Sequence, residues 1–80
     1  MQKILIVEGD TDIAAIERDY LELNGYQVET APDGDSGLER GLSGGFDLIL
    51  LDLMLPGTDG FTVCRRLREG KALAQVFRVA

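Results

Sequence analysis

The stretch Leu48-Ile49-Leu50-Leu51-Asp52-Leu53-Met54-Leu55-Pro56-Gly57 decides the reading of this chain. Four apolar residues run into one aspartate, and a Pro-Gly turn follows. An unbroken apolar run bounded by turn signals is the pattern of a strand covered on both faces. That pattern belongs to a parallel sheet flanked by helices. In open parallel sheets, chemistry sits outside the carboxyl ends of the strands, where the loops enclose a crevice. Asp52 falls at such an end, and packing gives no reason for a lone carboxylate there. It is the candidate reactive group, against the plainer reading of a residue that caps the next loop.

Working outward, Lys3 to Val7 reads as a strand in which Ile4 to Val7 is a second continuous apolar run, and it ends in the acidic cluster Glu8-Gly9-Asp10. Thr11 or Asp10 can cap the helix that follows. In that helix Ile13, Ile16, Tyr20 and Leu23 recur at spacings of three and four and predict one buried stripe. Glu17, Arg18, Asp19 and Glu22 are then a solvated face. Gly25 suits the left-handed position after the helix. Tyr26 to Ala31 alternates apolar and polar residues, as an edge or half-exposed strand does.

Pro32-Asp33-Gly34 is a turn, and Asp35 to Leu42 reads as a short helix. Gly37 and Gly41 each cost about 1 kcal/mol there relative to alanine, which predicts the softest helix of the chain. A third helix runs from Phe61 to Glu69, with Val63 and Leu67 as its inward pair. Arg65, Arg66 and Arg68 suit its C-terminal dipole and read as a solvated helix end. Cys64 reads as a buried helix residue. Gln75 to Ala80 is a candidate fourth strand, interrupted by Arg78. The order β-α-β-α-β-α, with that further strand, demands right-handed crossovers and a doubly wound α/β layer structure.

Composition narrows the function. The 80 residues allow a single domain, 1–80, and the formal net charge is −6 without one histidine. An acidic chain repels phosphate backbones, so no nucleic acid is expected on this segment. One cysteine cannot form an internal disulfide, which fits a reducing cytoplasm. No apolar stretch approaches the roughly 20 residues that span a bilayer, and no secretion signal opens the chain, so no membrane partner is expected. Neither a Gly-x-Gly-x-x-Gly nor a Gly-x-x-x-x-Gly-Lys run is present. A phosphatase built on a strand-end aspartate would want a second aspartate two residues later, where Met54 stands.

Separate strands deliver Glu8, Asp10 and Asp52 to one end of the predicted sheet. For Glu8 and Asp10 the competing reading is a helix cap and a first-turn charge. As a group, the three acids repel one another, and a hard divalent cation relieves that repulsion. Mg²⁺ keeps several waters, so two carboxylates and a backbone carbonyl suffice to hold it. With the cation bound, an aspartate can act as nucleophile toward a phosphoryl group.

Taken together, Lys3-Ile4-Leu5-Ile6-Val7-Glu8, Gly25-Tyr26, Ala31, Asp33-Gly34, the whole of Asp47 to Phe61, and Cys64-Arg65-Arg66-Leu67-Arg68 resemble the receiver domain of bacterial two-component response regulators. The likeness is greatest to receivers of the winged-helix, DNA-binding transcription regulators. It implies a flavodoxin-like fold of order 2-1-3-4-5. Asp52 matches the aspartate phosphorylated by a histidine kinase, and Met54 the residue whose carbonyl ligates Mg²⁺. Glu8 matches the first strand-one acid, while Pro56 and Gly60 match the turn after the phosphoacceptor. Two departures stand out. The second strand-one acid, normally a direct Mg²⁺ ligand, falls on Gly9, with Asp10 one place later. The family's later Thr or Ser and Lys have no counterparts before Ala80. The chain therefore reads as a truncated receiver with weakened Mg²⁺ binding, a phosphoacceptor rather than an enzyme. The alternative is a degenerate receiver that acts without phosphorylation, through partners or by homo-oligomerisation along an exposed sheet edge.

Overall fold

The computed structural model describes residues 2–52, 55, 57–70 and, for backbone pairing alone, 75–79. Its elements follow in the order β1 (Lys3–Val7), α1 (Thr11–Leu23), β2 (Gln27–Ala31), α2 (Gly34–Ser43), β3 (Leu48–Asp52), α3 (Gly60–Glu69) and β4 (Gln75–Val79). All pairings are parallel, and the strands lie side by side as β2-β1-β3-β4. The candidate fourth strand therefore exists, and Arg78 sits in it opposite Leu51. It forms an edge of the sheet, with β2 at the other edge.

Each helix start is explained by one aspartate. The side chain of Asp10 accepts from the Asp12 and Ile13 N–H groups, Asp33 from Ser36, and Asp59 from Thr62. These carboxylates satisfy amide donors that the first turn leaves unpaired. At the far end of α1, Gly25 takes φ of +92°, as its place after the helix predicts.

Register sorts the apolar strands into two faces. Leu5 pairs with Ile49 and Val7 with Leu51, and these four are wholly buried with Val63, Cys64 and Leu67 of α3. Burying one such aliphatic side chain contributes about 1.5–3 kcal/mol, so this layer dominates stability. Ile4 and Ile6 occupy the other face with α1 and are buried too. Leu48 and Leu50 share that face but are only half-buried. The expectation that β3 is sealed on both sides is thus corrected among the described residues: one face is closed, and the α1 side is partly open.

The buried stripe read into α1 is also corrected. Ile16, Tyr20 and Leu23 are 69, 67 and 85% exposed, and Ile13 is exposed as well. The buried residue is Ala14, with Ala15, Glu17, Arg18 and Leu21 half-buried. Small side chains let the helix axis approach the sheet closely, and the large ones are left on its outer flank. The inward stripe is rotated by one residue from the one that hydrophobic size predicts.

The glycines of α2, expected to make it soft, are contact points. An added Cβ at Gly37 would lie 2.6 Å from Val7 Cγ1, and one at Gly41 would lie 2.6 Å from Leu67 Cδ2. The missing side chains are what allow α2 to sit against β1 and α3.

Candidate functional site

Parallel pairing puts the carboxyl ends of all strands on one edge of the molecule. β1 and β3 are direct neighbours, with Val7 opposite Leu51, so Glu8 and Asp52 emerge side by side. β1 connects outward to β2 on one side while β3 lies on the other, which makes this gap the point where strand order reverses. Both acids are half-buried, and their carboxyl groups are within hydrogen-bond reach of each other.

The electrostatics follow from that approach. Burial pushes the Glu8 carboxyl above the usual range, and the hydrogen bond to Asp52 and the charge of Asp52 push the same way. The Asp10 N–H, donating to Glu8 Oε1 at 3.1 Å, opposes them. Two carboxyl groups this close favour keeping one proton between them or taking a cation.

Asp10, the third acid expected at the site, is placed differently. Its Oδ1 is committed to the start of α1, accepting from Asp12 at 2.9 Å and Ile13 at 3.2 Å. Gly9 offers no side chain. Met54 and Pro56 lie outside the described residues, whereas Gly60 opens α3 and is buried. Among the described residues, no group of three or more His, Cys, Asp or Glu side chains is arranged to hold a metal ion. What remains is the Glu8–Asp52 pair. It meets the minimum for Mg²⁺, which takes one or two carboxylates and fills the rest of its shell with water.

One group at this end was not found from sequence. Glu17, read as part of a solvated face, is half-buried on the inner side of α1. Burial raises its pKa, and the negative charge of Asp52 raises it further. Its spacing of three from Ala14 was the available signal, but Ala14 does not announce itself as the buried residue. A cleft of about 270 Å³ between α1 and the end of β2 includes Glu8 and Arg18 in its wall, but not Asp52. That cleft is thus separate from the β1–β3 gap where Asp52 stands.

Comparison with known proteins shows the family and the fold. The response regulator receiver domain family matches residues 4–79. The transcriptional regulatory protein ResD of Bacillus subtilis is 50% identical over 70 residues, which are 88% of this chain and 29% of ResD. The chain thus spans under a third of that relative. The crystal structure of the response regulator TrrA from Thermotoga maritima, in complex with Mg²⁺-BeF, superposes with a TM-score of 0.90 at 33% identity. It covers 95% of this chain and 66% of TrrA. A second structure holds TrrA in complex with the histidine kinase ThkA, with a TM-score of 0.90, 32% identity, and coverage of 98% and 67%. Among the described residues, no helix is long and apolar enough to cross a membrane.

Proposed function

Because this chain belongs to the response regulator receiver domain family, we propose that Asp52 accepts a phosphoryl group from a histidine kinase. The observation that carries the reading is the meeting of Asp52 with Glu8 at the β1–β3 gap. A carboxylate oxygen of Asp52 attacks phosphorus. The new O–P bond forms as the N–P bond to the kinase histidine breaks, and the imidazole leaves with a proton. Water later attacks the aspartyl phosphate and restores the carboxylate, so the domain is a phosphoacceptor whose only turnover is slow self-dephosphorylation. The kinase partner is inferred from TrrA, which a histidine kinase binds. This signalling places the chain in the cytoplasm, upstream of transcription regulation.

Mg²⁺ would be held by Glu8 and Asp52, with the Met54 carbonyl as the further oxygen ligand proposed from the family pattern and the neighbouring Asp10 as a substitute for the acid that Gly9 lacks. Bound there, the cation would neutralise charge on the transferring phosphoryl group. Affinity below that of a receiver with two free strand-one acids is expected, because Gly9 supplies no ligand and Asp10 is engaged by α1. That engagement also favours the second reading, a degenerate receiver acting without phosphorylation. In either case we propose self-association through the outer flank of α1 and the sheet edges.

Incubation with acetyl phosphate and Mg²⁺, followed by intact-mass measurement, separates the two. A phosphoryl adduct that disappears in Asp52→Ala establishes the acceptor. An unmodified wild-type chain overturns the acceptor reading and supports the phosphorylation-independent module.

A further inference from the structure

Two helix surfaces on opposite faces of the sheet carry opposite charge. On α3, Phe61, Arg65 and Arg68 recur at spacings of four and three, and all three are exposed. Arg66 is exposed beside them, and Glu69 is the one acid of the helix. Among the described residues, none of these arginines has an acid within ion-pair distance. In a chain of net charge −6, that is a distinct basic patch. On α1, the exposed apolar stripe of Ile13, Ile16, Tyr20 and Leu23 is edged by Asp12 and Asp19, which are exposed too. Arg18 is shared between Asp19 at 3.7 Å and Glu22 at 3.9 Å, so it neutralises neither fully.

We propose that α3 of one copy docks on the outer flank of α1 of the next, so that the chain associates head to tail. This contact refines the self-association proposed above and rests on it. Charge decides which surfaces meet. Two α1 flanks facing each other would set Asp12 and Asp19 against the same acids, and two α3 faces would set arginine against arginine. Pairing α1 with α3 sets acid against base. It also covers apolar side chains on both sides, Phe61 on one and Ile16 and Tyr20 on the other. Within one copy the two surfaces cannot meet. α3 packs with Leu5, Val7, Ile49 and Leu51 on one face of the sheet, and α1 lies on the other with Ile4 and Ile6. The contact is therefore heterologous. Each added copy leaves one α1 and one α3 open, and the assembly grows unless its rotation closes a ring. Exposed ion pairs add little affinity, but they select which surfaces join, and salt weakens them.

The test is sedimentation in about 0.1 M and about 1 M sodium chloride, where charges act over about 10 and about 3 Å. Association of the wild-type chain should weaken by about tenfold at the higher salt, which a purely apolar contact would not do. Arg65→Glu with Arg68→Glu should weaken it by about tenfold or more at the lower salt, because like charges then face each other. Asp12→Lys with Asp19→Lys should do the same. All four substitutions in one chain leave the net charge unchanged and make the surfaces complementary again, so association should return. An arginine variant that associates like the wild type overturns the inference and leaves self-association standing through α1 alone or a sheet edge. So does wild-type association that salt leaves unchanged. Dissociation that the fourfold variant does not reverse overturns it as well, since that marks a disturbed fold or another contact. A wild-type chain that is monomeric at every concentration removes the self-association proposal and this contact with it, leaving the arginines to an acidic partner of another kind.

Discussion

Gly37 of α2 lies directly over Val7 of β1, so closely that a Cβ on the glycine would meet Val7 Cγ1 at 2.6 Å and Cγ2 at 2.8 Å. Both branches of the valine are in the way, and Val7 is wholly buried, so no rotamer change relieves the contact. On propensity alone Gly37→Ala would stabilise a helix interior by about 1 kcal/mol. Overpacking a closed core costs about 1–3 kcal/mol and wins. The expected result is a lower midpoint in urea for Gly37→Ala, with unchanged slope. A rise in midpoint would show that α2 stands off the sheet.

Restoring the strand-one acid tests the metal site. Gly9→Asp places a carboxylate where the family pattern has a direct Mg²⁺ ligand, beside Glu8 and Asp52. The Mg²⁺ concentration giving half-maximal phosphorylation by acetyl phosphate should fall by about tenfold or more, the scale at which single supporting groups act in metal sites. Chelating Mg²⁺ should abolish labelling of both proteins. Equal half-saturation would mean that Asp10 or another oxygen already fills the place.

Acid dependence separates two classes of carboxyl group. The Ser36 N–H and hydroxyl hold Asp33 below the usual carboxylate range, and the Thr62 N–H and hydroxyl do the same for Asp59. Their folded forms release the proton more readily than the unfolded chain does. Their stabilisation is therefore present above the ordinary value of about 3.9 and is lost as pH falls through the lower folded values. Glu8 and Glu17 are raised, chiefly by burial, so the opposite sign applies. Folding binds their protons more tightly, and stability declines as pH rises from about 4.3 through the raised values. Glu17→Gln should accordingly melt higher than the wild type at pH 7, with the difference vanishing near pH 4. Asp59→Asn should melt lower at pH 7, with its deficit closing below pH 4. A constant offset for Glu17→Gln at both pH values would show that neither burial nor the charge of Asp52 raises the Glu17 carboxyl.

The layer order and the meeting of Glu8 with Asp52 at one sheet end were legible because each is written in the residue pattern. The run from Leu48 to Leu51 is long and apolar, the alternation from Gln27 to Thr30 marks an edge, and Asp52 is a charge where a strand must stop. The face of α1 was not legible, since periodicity weights large residues and the contact is made by Ala14. Gly37 and Gly41 misled for a related reason. A glycine in a helix reads as lost propensity unless the neighbour it admits is known, and Val7 and Leu67 come from distant parts of the chain. Glu17 escaped notice because its partner Asp52 is brought near only by the α1–β1–β3 arrangement. Asp10 was seen, and its local use in capping α1 was the plainer of its two readings.

The outer flank of α1 makes the last prediction. Ile13, Ile16, Tyr20 and Leu23 are all exposed, and Leu48 and Leu50 of the same sheet face are only half-buried. Apolar surface gathered on one face of a small domain favours association. Sedimentation of the wild-type chain should therefore give a mass above the monomer that rises with concentration. Ile16→Lys with Tyr20→Lys should return it to the monomer. Because both side chains already stand in water, stability should change by no more than about 0.5 kcal/mol. That combination, dissociation without destabilisation, distinguishes a sticky surface from a misplaced core. A wild-type chain that stays monomeric at every concentration would show that this flank is tolerated in water as it is.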